Sequence, residues 1–299
     1  MDFRRLKYFI AVAEELHFGR AAARLDMAQP PLSRQIAALE AELGVKLFDR
    51  ARNQVRLTDA GAVLLDRART ILANLETAYR ETRAIGNGSI GQLRIAFVGS
   101  ATHGPLPNLI KSFRLHYPDV DLLLSSMNNA ELERALIQKD IDIAVARPCL
   151  QGDEFRSIEL IHEPLILALP DGTEAARRTS PPLLRDVASE PFILYPRRPR
   201  PSFADHILAV CQAEGFLPGE QVLAQDYQTA ISLVSVGVGI ALVPQSVALS
   251  PRPGVSYRDY VGRNPGTSLT VHSRRDNYKP QVINFFTLLK KFLKKPPRI

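Results

Sequence analysis

The pattern of apolar and polar positions changes character twice along the chain. At the N-terminus, apolar residues recur at spacings of three and four. Leu6, Phe9, Ile10 and Ala13 give Phe3–Glu15 one apolar face, so this stretch is predicted to be a helix. A second helix covers Phe18–Leu25, where Ala21 and Ala22 permit close packing. Leu32, Ile36, Leu39 and Leu43 line a third, which Gly44 would end as a C-cap. Pro30 suits its first turn, while Ser33, Arg34 and Ala37 fall away from the apolar face. Two short runs follow, Val45–Arg50 and Gln54–Thr58, predicted as strands about Arg50, Ala51, Arg52 and Asn53. Leu47, Phe48, Val55 and Leu57 would cover the helices from that side. The whole reads as a winged helix-turn-helix with the polar face of its third helix free to enter a major groove. Arg50, Arg52 and Arg56 would face the DNA flank, on phosphate or in a minor groove. Arg4, Arg5 and Lys7 stand at a helix start that does not favour cations, which suits an outside phosphate.

From Thr58, a cap, and Asp59, in the first turn, one long helix is expected to about Ala84. Leu64, Ala68, Ile71, Leu75, Ala78 and Thr82 alternate four and three apart, the spacing of a coiled-coil seam, so a second copy of the chain is expected along it. The alternative is packing of the stripe on its own domain. Gly86–Gly91 reads as a flexible joint.

From Gln92 the period alternates between strand and helix. Strands are predicted at Leu93–Val98, Val120–Ser125 and Asp142–Ala146, with helices at Pro107–His116 and Ala130–Gln138 between them. This alternation means a parallel sheet with helices on its faces. Leu165–Leu169 would cross into a second lobe, with strands at Phe192–Tyr195 and Ile240–Pro244 and helices at Leu183–Ala188, Phe203–Glu214 and Gln228–Val236. Ser268–Ser273 would return to the first lobe, and Gln281–Phe292 would be a terminal amphipathic helix. The expected fold is α/β overall, with a winged helix-turn-helix at 1–58, a dimerising linker helix at 59–86, a hinge at 87–91 and a two-lobed, periplasmic-binding-protein-like effector domain at 92–299. Lobe I would hold 92–163 and 268–299, and lobe II 164–267.

Such a cleft closes around small molecules. Ser100 and Thr102 follow the first strand, Asn128 and Asn129 the second, and Arg147 the third, where α/β sheets place ligands. Pro201, Ser202 and Phe203 start a helix of the second lobe, a setting that suits an anion, with Arg197, Arg198 and Arg200 nearby. Arg147 and Asp226 would either contact the ligand or pair across the cleft floor.

Composition narrows the classes. A net charge of +7 permits nucleic-acid binding, although Lys290, Lys291, Lys294, Lys295 and Arg298 contribute to it as a tail. Cys149 and Cys211 have no ligand or redox spacing and read as reduced thiols of a cytoplasmic protein. No run is apolar and long enough for a membrane span, and the N-terminus lacks a secretory pattern. There is no HExxH, Walker loop or nucleophile elbow. His103, His116, His162, His206 and His272 show no metal spacing, and Gly237-Val238-Gly239 precedes a strand, the wrong context for a dinucleotide fingerprint. No catalytic residue, metal or cofactor is expected, and a two-lobed enzyme ranks last.

Specific motifs carry a resemblance over the whole length. Leu6-Lys7-Tyr8-Phe9, Phe18-Gly19-Arg20-Ala21-Ala22, Gln29-Pro30-Pro31-Leu32-Ser33-Arg34-Gln35-Ile36, Leu47-Phe48-Asp49-Arg50 and Leu57-Thr58-Asp59-Ala60-Gly61 resemble the LysR-type transcriptional regulators. The doubled proline, Phe97-Val98-Gly99-Ser100, Tyr195-Pro196 and Pro199–Asp205 are similar to the catechol, chlorocatechol and benzoate catabolism activators. The resemblance implies a homodimer assembling to a homotetramer on double-stranded promoter DNA, which it bends. A small carboxylate inducer between the lobes, a muconate, chloromuconate or benzoate, would relax the bend for RNA polymerase. Such a protein would activate an aromatic-compound degradation operon. The alternative within the family is a regulator or repressor of another pathway with another inducer. By resemblance Gln29, Pro30, Ser33 and Arg34 lie at the bases, with Pro31 also on the DNA-binding face, Ser100, Asn129, Pro201 and Phe203 at the inducer, and Arg147 and Asp226 form a charged pair beside it. Asn129 stands where the muconate and benzoate responders place threonine, Ala28 where many members place a capping serine or threonine, and Arg197 and Arg198 where the responders have smaller polar residues.

Overall fold

Helices α1 (Phe3–Glu15), α2 (Phe18–Arg24) and α3 (Gln29–Leu43) form where the apolar spacing predicts them. Leu6, Phe9, Ala21, Leu32, Ile36 and Leu39 are buried in a shared core, whereas Leu43, expected on that face, is 40% exposed. The computed structural model describes residues 2–49, 55–198 and 202–294. Its chain divides into two units, Met1–Ala84 and Ile85–Ile299.

In the first unit, β1 (Phe48–Asp49) and β2 (Arg56–Leu57) pair antiparallel, Phe48 opposite Leu57, as the base of the wing. Glu40 ties this base to α3. Its buried carboxylate accepts from Leu47 N at 2.9 Å and Phe48 N at 3.2 Å and meets Lys46 Nζ at 3.1 Å. Those bonds outweigh desolvation and hold its pKa below the usual carboxylate value.

Helix α4 runs Asp59–Gly86. Thr58 Oγ1 accepts from Gly61 N at 3.0 Å and donates to Lys46 O at 2.8 Å. Gly61 is obligatory, because a Cβ there would meet Leu47 O at 2.2 Å. The expected seam is not continuous. Ala68 is buried in the helical core and Leu64 packs against it, while Ile71, Ala78 and Thr82 remain exposed. Glu14 joins this helix to the others through Arg69 and Arg24, each at 2.8 Å.

The second unit has two lobes. The first holds β3 (Gly91–Phe97), β4 (Val120–Ser126), β5 (Ile143–Ala146), β6 (Phe155–Glu163) and β12 (Thr267–Arg274) in the order β4-β3-β5-β12-β6. The expected parallel sheet holds for β4, β3 and β5 only. β12, which returns from the second lobe, is antiparallel to both neighbours. Leu93, Ile95, Ile143 and Val145 face one core with α5 (Leu106–His116) and α10 (Pro280–Lys294). The alternate residues Ala96, Ala144 and Ala146 face α6 (Asn129–Ile137). Burial on both faces explains the apolar runs of these strands.

In the second lobe, β7 (Leu165–Pro170) lies between β10 (Ala241–Pro244) and β11 (Val255–Arg258), antiparallel to both. β8 (Phe192–Leu194) and β9 (Gln221–Leu223) pair in parallel, and a bridge from Phe192 to Ile240 stitches them on. α8 (Phe203–Ala213) and α9 (Tyr227–Ser235) bury Phe203, Ile207, Tyr227 and Ile231 in this lobe's own core, and a short α7 (Glu174–Arg177) packs outside.

Candidate functional site

On the first unit the start of α3 is open. Gln29, Pro30 and Arg34 are exposed, and Pro31 and Ser33 are half-buried. Ala28 occupies the N-cap without a side-chain hydrogen bond, as its lack of a polar group requires. The turn before α3 closes through Met27 N to Ala22 O at 3.0 Å, with Asp26 left-handed at φ 52°. His17 caps α2, its Nδ1 accepting from Gly19 N at 3.1 Å and Arg20 N at 3.2 Å. Arg5, expected to serve phosphate, instead meets Glu42 at 2.9 Å and Gln35 Oε1 at 3.2 Å, bracing α1 against α3. Arg56 is exposed on the wing. Arg50 and Arg52 lie outside the described residues.

On the second unit a cavity of about 440 Å³ opens between the lobes. Ser100, Thr102, Asn129, Arg147, Ser202, Phe203 and Asp226 all line it. Pro201 and Arg200 lie outside the described residues, and Arg197 and Arg198 are exposed side chains that do not line the cavity. The starts of α6, α8 and α9 converge on it, each presenting the positive end of its dipole. Their caps are the residues that sequence reasoning treated as ligand contacts. Asn128 and Glu131 form a capping box on α6. Ser202 N donates to Asp205 Oδ2 at 2.6 Å at the head of α8. Asp226 Oδ1 accepts from Thr229 N at 2.7 Å at the head of α9.

The expected Arg147–Asp226 pair is not formed. Asp226 is spent on its helix, and Arg147 Nη2 donates to Glu163 Oε1 at 2.5 Å. Glu163, at the end of β6, also accepts from Ser246 N at 2.5 Å and Ser246 Oγ at 3.0 Å, so it connects the two lobes. The Arg147 and Glu163 side chains are 1% and 4% exposed, which makes this a buried ion pair. Burial pulls the pKa of Arg147 down and Glu163 opposes the fall. Arg147 Nε and Nη1 are buried with no hydrogen-bond partner among the described residues. Asn129 braces the same backbone: Oδ1 accepts from Arg147 N at 3.2 Å and Nδ2 donates to Pro148 O at 2.7 Å. The Thr102 hydroxyl turns back to Gly99 O at 2.8 Å. Tyr195, also lining the cavity, is buried and its pKa is driven up by desolvation.

Among the described residues, no group of three or more His, Cys, Asp or Glu is placed to hold a metal. No helix there is long and apolar enough to cross a membrane.

Two family models cover nearly all of the chain. Residues 3–62 match the bacterial regulatory helix-turn-helix protein, lysR family, and residues 86–294 match the LysR substrate binding domain. The chain belongs to the LysR family of transcriptional regulators. This LysR-type chain is 37% identical over 284 residues to a probable cat1 operon transcriptional activator of Acinetobacter lwoffii, covering 95% of this chain and 93% of that one. It is 35% identical over 285 residues to the regulator AlsR of Bacillus subtilis, covering 95% and 94%. The crystal structure of CbnR, a LysR family regulator, superposes with a TM-score of 0.85 at 31% identity, covering 97% of this chain and all of that one. Within the family the chain is close to the catechol, chlorocatechol and benzoate activators. It is a DNA-binding transcriptional regulator and not an enzyme, with the winged helix, linker helix and two-lobed effector domain of its relatives.

Sequence reasoning missed Glu163, Tyr195 and His103. His103 shows no metal spacing and carries no other sequence signal. Its ring is half-buried and hydrogen-bonds Tyr227 Oη and Ser250 Oγ.

Proposed function

We propose that this regulator activates an aromatic-compound degradation operon in response to a small carboxylate, such as a muconate or chloromuconate, held between the lobes. The observation that carries the reading is Arg147: a buried cation, lining a cavity at which three helices begin, with Nε and Nη1 unpartnered among the described residues. Leaving buried charged donors unpaired is costly, and a carboxylate oxygen would satisfy them. In this reading Ser100, Thr102, Asn129, Arg147, Pro201, Ser202, Phe203 and Asp226 surround the effector. Gln29, Pro30, Ser33 and Arg34 face bases, Pro31 lies on the same DNA-binding face, and Arg50, Arg52 and Arg56 face the DNA flank.

The division of labour follows the chain, with 1–58 on DNA, 59–86 pairing two copies, 87–91 as hinge and 92–299 sensing. The exposed Ile71, at 39%, and Tyr79, at 54%, support pairing along the outer part of α4. Two dimers would form the tetramer that bends a promoter in the cytoplasm and meets RNA polymerase there. The name of the Acinetobacter lwoffii activator supports the positive sign of regulation.

Calorimetry of the full chain against cis,cis-muconate, 2-chloromuconate and benzoate tests the reading. Saturable binding that Ser100→Ala weakens is expected, and no binding by any of the three overturns it. A second reading, regulation of another pathway by a different inducer, is favoured by Asn129. Two of its amide's hydrogen-bonding groups are committed to backbone at 2.7 and 3.2 Å, where a threonine hydroxyl would serve a ligand differently.

A further inference from the structure

The cleft has an open neighbour across one of its walls. Beyond Tyr227 lies a solvent-open groove of about 890 Å³, bordered by His103, Ser235, Ser250, Arg252 and Tyr257. Asp226, Tyr227 and Gln228 line both spaces, so the first turn of α9 is the partition between them.

A contact from the opposite lobe holds this partition. His103 ends the 3-10 turn Gly99–His103, whose Ala101 is buried in the first lobe's core. Both of its ring nitrogens reach the second lobe. Nδ1 lies 3.1 Å from Ser250 Oγ, and Nε2 is hydrogen-bonded to Tyr227 Oη. Burial favours the neutral imidazole. A neutral ring donates through one nitrogen and accepts through the other, and a hydroxyl takes either role, so both bonds are made together. The His103 and Tyr227 rings also meet edge to face, 5.2 Å apart at 84°. The same turn makes room for the phenol: a Cβ on Gly99 would stand 3.1 Å from Tyr227 Cδ1 and Cε1. Tyr227 thus lies against a stretch of the first lobe's backbone that has no side chain, with its hydroxyl held by that lobe's histidine.

We propose that His103, Tyr227 and Ser250 form a clasp that joins the lobes and closes the cleft on the side of the open groove, so that Tyr227 sets the length of ligand the cleft admits. The clasp itself needs no ligand. The length limit rests on the carboxylate reading above. A one-ring or six-carbon acid held at Arg147 would stay on the near side of Tyr227, and a two-ring acid extended from Arg147 toward the start of α9 would meet its ring.

Two measurements on the full chain separate these parts. The first is hydrogen exchange without ligand. Losing a hydrogen-bonded contact of this kind in His103→Ala should speed exchange by about tenfold in the first turn of α9, on the opposite lobe. Tyr227→Phe should do the same for residues 101–104. Faster exchange confined to the substituted segment overturns the clasp. The second is calorimetry with benzoate and biphenyl-4-carboxylate. The wild type should prefer benzoate, and Tyr227→Ala should move the affinity ratio toward the longer acid by about tenfold or more. An unchanged ratio overturns the role of Tyr227 in length selection. If neither acid binds any form, the length limit falls, and the carboxylate reading falls with it when cis,cis-muconate and 2-chloromuconate also fail to bind, while the exchange result still decides the clasp.

Discussion

His272 makes the sensing unit acid-sensitive by an amount that can be worked out. Its ring is fully buried in β12, behind the loop that carries Arg147. Nε2 accepts from Leu150 N at 3.4 Å, and Nδ1 is 2.8 Å from Ser157 Oγ. That arrangement fixes the neutral tautomer with its proton on Nδ1. A second proton would set Nε2–H against the Leu150 N–H at a side chain shut off from the surface, where the charge would be desolvated. Burial accordingly pulls the pKa from 6.5 down to about 4. At about 1.4 kcal/mol per pH unit, this difference weighs about 3 kcal/mol. The folded pKa lies below the unfolded one, so the unfolded chain binds the extra proton first. Stability is whole above pH 6.5, declines as pH falls through that value and has lost its full share below about 4. Other groups add to acid unfolding, so the readout is a difference. Urea unfolding of the full chain and of His272→Gln is followed at half-unit steps from pH 7.5 to pH 4. The gap between the two stabilities should change by about 3 kcal/mol over this range, with the wild type losing more. A gap that stays constant with pH would refute the argument, whatever the size of the offset.

Other outcomes follow from single contacts. Glu163→Gln leaves Arg147 buried without its counter-charge and should cost the Ile85–Ile299 unit about 3–5 kcal/mol in denaturant unfolding. Recovery of most of that in Glu163→Gln with Arg147→Met is expected, and a double variant no better than the single would remove the ion pair as the cause. Gly61→Ala drives a methyl into Leu47 O and should lose about 3 kcal/mol or more, whereas Gly86→Ala, with nothing within 4 Å of its Cβ, should lose none. Equal losses in thermal melts would contradict this. Arg34→Ala should cut operator affinity by about 1–3 kcal/mol while sparing nonspecific DNA. Arg56→Ala should weaken both and lower the salt slope by about one; gel-shift titrations over a salt series distinguish them.

The helices were legible because packing one face on a core leaves an apolar residue every three or four positions, as in α1, α3 and α10. β6 was not legible. Its burial follows no simple alternation from Phe155 to Glu163, and its register with β12 shifts at Leu269/Thr270. With β6 unseen, nothing marked Glu163 as the end of a strand beside Arg147, and the guanidinium was matched to the wrong carboxylate. Asp226 does carry a local signal. An acidic residue at the head of a predicted helix is first a cap. His103 had no local signal, since its partners lie 124 and 147 residues away and meet it only through the folding of both lobes. The cavity-lining positions after β3, β4 and β5 were readable because parallel strands bring their carboxyl ends to one edge.

Glu40 has a consequence for the operator. By bonding the amides of Leu47 and Phe48, it couples the back of α3 to the base of the wing. In the proposed docking, the distance from the bases under α3 to the flank under the wing is therefore a ruler built into one subunit. An operator with a base pair inserted between those two contacts would find no slack inside the subunit. Spacing changes between half-sites, by contrast, would be absorbed where one subunit meets another. The protein would thus tolerate variation in the arrangement of its sites along a promoter and refuse it within each site.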